Sequence, residues 1–95
     1  MARPSKYVAV YDVTDDAERT RVAKVIEGFG VRVQKSAFEC HLTKGARATL
    51  ERKLAALEIK TGFVFLYRLD SKAKRIALGA VPANPLDDAN YAFVV

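Results

Sequence analysis

Ninety-five residues, 51% apolar and 28% charged, suit one folded domain over 1–95 and leave no room for a second core. The lone cysteine excludes an internal disulfide framework and a cysteine-based zinc cluster. With no signal-peptide core and no run near the ~18 apolar residues of a membrane span, no membrane partner is expected and the chain reads as soluble and intracellular.

The net charge of +5 comes wholly from residues 18–53, which hold nine basic and four acidic side chains. A basic middle suits a polyanion such as nucleic acid, although a merely solvated face explains the charge equally well.

In chain order, YVAVYDV (7–13) is β-branched and aromatic and predicts a strand buried on both faces. Thr14 or Asp15 then caps a helix, and Asp15 with Glu18 has capping-box spacing. Val22, Val25, Ile26 and Phe29 form its apolar stripe, and Gly28 and Gly30 end it. In VRVQKSAFECHL the hydrophobic parity flips near Lys35-Ser36-Ala37, which requires a bulge or tight bend between two short antiparallel strands.

Thr43 caps a second helix, GARATLERKLAALEI, with Ala46, Leu50, Leu54 and Leu57 on one side. GFVFLYRL predicts a buried strand and RIALGAV a further short one. Residues 82–95 read as a loop followed by a C-terminal strand, YAFVV, suited to dimer or partner contact. The order β-α-β-β-α-β, plus one or two extra C-terminal strands, gives an α+β, ferredoxin-like fold with two helices on one face of an antiparallel sheet. The other face then needs cover, which a second copy in a symmetric homodimer would supply.

Asp12 is the residue that local structure explains least. It interrupts the apolar face at the strand end, while Thr14, Asp15 and Asp16 already provide helix capping. One carboxylate per chain, doubled in a dimer, is enough to hold a Mg²⁺ whose shell water and phosphate complete. Arg19 and Arg21 stand in the first turns of the helix, where a cation opposes the helix dipole, so an anionic partner explains them better than helix stability does. Arg32 and Lys35 extend the positive surface, and Phe38 sits at the register flip. His41 beside Cys40 has no metal or triad spacing. The glycines of EGFGVRV end a helix rather than open one, and GFVFLYRL matches an RNA-recognition strand only loosely.

Together, Tyr11-Asp12, Asp15-Asp16 with Arg19 and Arg21, and the run Arg32, Val33, Gln34, Ser36, Phe38, Glu39 resemble the N-terminal half of the CRISPR-associated protein 2 family. The resemblance implies a prokaryotic, cytoplasmic homodimer in which Asp12 of each chain meets its mate and binds Mg²⁺, with Mn²⁺ as the substitute. It implies metal-dependent phosphodiester cleavage of RNA or double-stranded DNA, with Asp12 catalytic and metal-binding. Tyr11, Arg19, Arg21, Arg32, Lys35 and Phe38 then bind nucleic acid or order the site. It also implies a partner, the CRISPR-associated protein 1 integrase of spacer acquisition. The alternatives are a non-catalytic DNA-binding scaffold of that integrase complex and, further off, a ferredoxin-like RNA-binding or regulatory module.

Overall fold

The computed structural model describes residues 3–81, and the expected YAFVV strand lies outside them. The chain runs β1 (Ser5–Val13), α1 (Asp16–Glu27), β2 (Gly30–Gln34), β3 (Ala37–Leu42), α2 (Lys44–Ala56) and β4 (Gly62–Arg68). The strands lie in the order β2-β3-β1-β4 with every neighbouring pair antiparallel. Each helix therefore crosses over one intervening strand, the ferredoxin-like arrangement expected from the element order.

Local chemistry sets the element ends. The Asp15 carboxylate caps α1 by accepting from the Glu18 N–H at 2.8 Å, and Thr43 Oγ1 caps α2 by accepting from the Ala46 N–H at 3.1 Å. Helix α2 stops at Ala56, short of the expected Ile59, and Glu58 turns the chain away with φ 50°. Gly28 ends α1 in ordinary right-handed geometry. Gly30 is needed for space: a Cβ there would sit 2.4 Å from Cys40 Sγ and from the Glu39 carbonyl oxygen. The parity flip is a register shift between Arg32 and Gln34, followed by the turn at Lys35-Ser36.

Alternation along β1 puts Tyr7, Ala9, Tyr11 and Val13 under the helices, with Phe38, Cys40 and Leu42 from β3 beside them. Val22, Ala23 and Ile26 of α1 and Leu50 of α2 close this core. Each large apolar side chain fully buried there is worth about 1.5–3 kcal/mol relative to exposure.

The opposite sheet face differs from expectation. Val8 and Val10 are half-buried and Asp12 is exposed, so β1 is buried on one face and not two. Strand β4 is likewise an edge strand rather than a buried one. Val64 and Leu66 reach the core, while Phe63, Phe65 and Tyr67 are 45%, 48% and 53% exposed and make tilted and edge-on ring contacts along the open face. A continuous apolar run marks a strand but does not report whether this chain covers both of its sides.

The short strand expected at RIALGAV does not form: residues 75–81 pair with neither edge of the sheet. They lie by β2 and β3 instead, where Arg75 bonds to Glu39 and Ala77 is buried. Ile76 and Leu78 stay 81% and 86% exposed. Strand propensity needs a hydrogen-bonding partner edge, and this segment meets none among the described residues.

Candidate nucleic-acid and metal site

The C-terminal end of β1 borders a cleft of about 560 Å³ lined by Tyr11, Asp12, Arg19, Arg32, Lys35 and Ser36, with Thr20, Lys24 and Glu27 of α1. Five of the seven residues singled out in the sequence therefore converge. By strand alternation Asp12 points to the face opposite Tyr11 and Val13, so it stands at the rim, where the basic cleft meets the open apolar face. No hydrogen bond or ion pair among the described residues engages its carboxylate.

The basic side chains order this strand end. Arg19 donates to the carbonyls of Val13 at 3.0 Å and Thr14 at 3.3 Å and pairs with Asp16, fixing the backbone just after Asp12. Arg32 and the Tyr11 hydroxyl both donate to the Lys35 carbonyl, the latter at 3.1 Å, while the Tyr11 N–H bonds to the Ser36 carbonyl at 3.0 Å. The β2–β3 turn is thereby tied to the residue preceding Asp12. A guanidinium has five N–H donors, so Arg19 and Arg32 keep donors for an anionic oxygen.

Phe38 is fully buried, 6.3 Å from the Tyr11 ring and 4.9 Å beneath the Arg32 guanidinium. It supports those two residues from the core, and Tyr11, 4% exposed, is likewise buried. Arg21 lies outside the cleft, where its charge acts on Glu18.

A second set of residues was not singled out as a site in the sequence. Glu18 accepts from the Thr61 hydroxyl at 2.6 Å and from the backbone N–H groups of Lys60 at 2.8 Å and Thr61 at 3.0 Å. Those bonds, the Thr61 hydroxyl foremost, hold its carboxyl below the ordinary 4.5. Thr61 Oγ1 also accepts from the Asp15 N–H at 3.0 Å, replacing the return bond that Glu18 would make in a complete capping box. The Thr14 N–H and hydroxyl both donate to the Thr61 carbonyl. Gly62 follows, where a Cβ would fall 1.8 Å from the Asp12 carbonyl oxygen. Its sequence signal is only a Thr-Gly pair ahead of an apolar run.

Among the described residues, no three His, Cys, Asp or Glu side chains gather to hold a metal ion. The donor chemistry at Asp12 nevertheless fits Mg²⁺, an oxygen-seeking ion commonly held by one or two carboxylates and completed by water and phosphate. Cys40 is unsuited to ligation or nucleophilic chemistry: burial pushes its thiol up to about 11, with the Glu39 charge adding to the effect.

The chain is similar to known proteins in sequence and in fold. The family described as CRISPR associated protein Cas2 matches residues 5–76. A CRISPR-associated endoribonuclease Cas2 of Mycobacterium tuberculosis is 39% identical over 62 residues, 65% of this chain and 55% of the relative, so the match spans little more than half of that protein. A CRISPR-associated endoribonuclease Cas2 of Pyrobaculum aerophilum is 34% identical over 89 residues, 90% of this chain and 93% of the relative. Among solved structures, a hypothetical protein from Thermus thermophilus superposes with a TM-score of 0.76 at 28% identity, covering 85% of this chain and 98% of that one. Streptococcus pyogenes Cas2 superposes at 0.63 with 27% identity, covering 70% and 88%.

Proposed function

Because this chain belongs to the CRISPR-associated Cas2 family, we propose that it is a metal-dependent nuclease of the CRISPR adaptation module, acting as a homodimer with Asp12 of each chain at the shared site. The observation that carries the reading is the placement of Asp12: a carboxylate with no partner among the described residues, on the rim between a basic cleft and an apolar sheet face that the described residues leave exposed. Val8, Val10, Phe63, Phe65 and Tyr67 give that face an apolar surface suited to a second copy of the same sheet. Such packing brings the two Asp12 side chains, one from each chain, toward a common axis.

In this reading Asp12 and its mate hold Mg²⁺, or Mn²⁺ in its place. When bound there, such an ion would provide Lewis-acid polarisation of the scissile phosphodiester. The protein's own groups bind and orient. Lys35 and the spare N–H donors of Arg19 and Arg32 hold the phosphates flanking the cleavage point. Tyr11, fixed between Phe38 and the Lys35 carbonyl, keeps the Asp12 backbone from shifting. Arg21 contributes charge outside the cleft. The partner in spacer acquisition is the CRISPR-associated protein 1 integrase. RNA and double-stranded DNA are both substrates consistent with phosphate-based binding.

The test compares wild type with Asp12→Ala on RNA and on duplex DNA, with Mg²⁺ and with EDTA. Cleavage by wild type that EDTA and Asp12→Ala both abolish, with binding retained, is expected. A wild type that binds duplex and cuts neither substrate would favour the second reading, a DNA-binding scaffold of the integrase complex. The lack of any group of three metal-ligating side chains among the described residues is the observation on its side.

A further inference from the structure

The Asp12 carboxylate bonds to nothing among the described residues, so its place is set by the backbone that carries it. That backbone is held from two sides. Arg19 donates to the carbonyls of Val13 and Thr14. On the other side, the Thr14 N–H and hydroxyl both donate to the Thr61 carbonyl at 3.1 Å, and the Asp15 N–H donates to Thr61 Oγ1 at 3.0 Å. The strand that follows Thr61 pairs Gly62 with Val13 and Phe63 with Asp12.

Thr61 is held in turn by Glu18, which accepts from its N–H and hydroxyl and from the Lys60 N–H. Glu18 is the third residue of α1, the position from which a capping-box glutamate bonds back to the N-cap N–H. That N–H belongs to Asp15, and it goes to Thr61, 46 residues away in sequence. A direct bond from Asp15 to Glu18 would cap the helix equally well, so capping does not account for the detour. Stability alone does not call for it either: Thr14, Asp15 and Thr61 are exposed, and water would satisfy their polar groups. What the detour does is fasten the α2–β4 connection to the turn just after Asp12.

We propose that Thr61, held by Glu18, is a positioning residue for the metal site at Asp12. The inference rests on the metal reading above and assigns residues outside the cleft to that site. A ligand whose side chain has no bond of its own depends on its backbone, and metal sites lose affinity when the groups that orient a ligand are removed. Arg19 takes the Thr14 carbonyl and Thr61 the Thr14 N–H, so the peptide groups on both sides of that residue are fixed. Loss of the Thr61 hydroxyl releases the Asp15 N–H and the shortest of the three Glu18 bonds together.

The experiment measures Mn²⁺ affinity by titration calorimetry for wild type, Thr61→Val, Thr61→Ser, Glu18→Ala and Asp12→Ala, with thermal midpoints recorded on the same samples. Affinity should fall about tenfold in Thr61→Val and Glu18→Ala, the low end of what loss of a group supporting a metal ligand costs, and return to within about twofold of wild type in Thr61→Ser. A role in stability alone would lower the midpoints and leave Mn²⁺ affinity unchanged at a temperature where every variant is folded. That result, with binding lost in Asp12→Ala, would overturn this inference and leave the function proposed above standing. Equal losses in Thr61→Ser and Thr61→Val would overturn it too, because the hydroxyl would then not be the group that matters. Mn²⁺ binding undiminished in Asp12→Ala, or absent from wild type, would overturn both. Where circular dichroism shows that Thr61→Val does not fold, Glu18→Ala, which leaves the α2–β4 connection unaltered in sequence, decides by the same measurement.

Discussion

Gly62→Ala is a stringent test of how the Asp12 strand end is built. The added Cβ would meet the Asp12 carbonyl oxygen at 1.8 Å, its carbonyl carbon at 2.7 Å and Val13 Cα at 2.7 Å. All three are backbone atoms, so no side-chain rotation relieves the overlap and β4 must move away from β1. Overpacking of this kind costs about 1–3 kcal/mol. A loss of about 2 kcal/mol would lower the thermal midpoint by roughly 10 °C in a domain of this size.

Gly45→Ala is the matched control. A Cβ at Gly45 has nothing within 4 Å and sits in α2, so it should stabilise by up to about 0.5–1 kcal/mol. The assay is thermal and urea unfolding of both variants beside wild type. Opposite signs are expected for the same chemical change. A Gly62→Ala midpoint within 2 °C of wild type, on the scale of roughly 4–8 °C per kcal/mol, would refute the close approach of β4 to Asp12.

Other outcomes follow from the same contacts. Glu18 ionises more readily in the fold than its ordinary 4.5, so its contribution is fully present above pH 4.5 and is lost as pH falls through the lower folded value. The urea midpoint difference between wild type and Glu18→Gln should therefore shrink below pH 4.5; a constant difference from pH 7 to pH 3 would contradict the carboxylate network at Thr61. Thr61→Val removes the hydroxyl that serves both Glu18 and Asp15, and its urea midpoint should fall below that of wild type. The Cys40 thiol, buried and raised to about 11, should resist alkylation at pH 8 in folded protein and react promptly in urea; equal rates would show that it is accessible.

Much of the fold is legible because local chemistry and periodicity agree. Asp15 and Thr43 have oxygen side chains where helices begin, and the odd-numbered face of β1 is apolar from Tyr7 to Val13. The parity change between Val33 and Phe38 requires a bulge or a tight bend, and the strands show a register shift between Arg32 and Gln34 and a turn at Lys35-Ser36. The site is legible in part for the same reason: Tyr11, Asp12, Arg19, Arg32 and Lys35 all flank β1 or the turn bonded to it, whereas Arg21, two residues past Arg19, points to another side of the helix. Periodicity does not show what a face packs against. Phe63, Phe65 and Tyr67 look like core residues and lie on an uncovered face, and Arg75–Val81 has strand propensity without an edge to join. Thr61 and Gly62 escape notice because their importance arises from contacts more than forty residues away in sequence.

The proposed metal site needs two Asp12 carboxylates, one from each chain, to hold one metal ion. Titration calorimetry with Mn²⁺ measures this directly. One ion bound per two chains is expected, with binding lost in Asp12→Ala while the protein stays dimeric by light scattering. Undiminished Mn²⁺ binding by Asp12→Ala, or one ion bound per chain by a monomeric wild type, would contradict it.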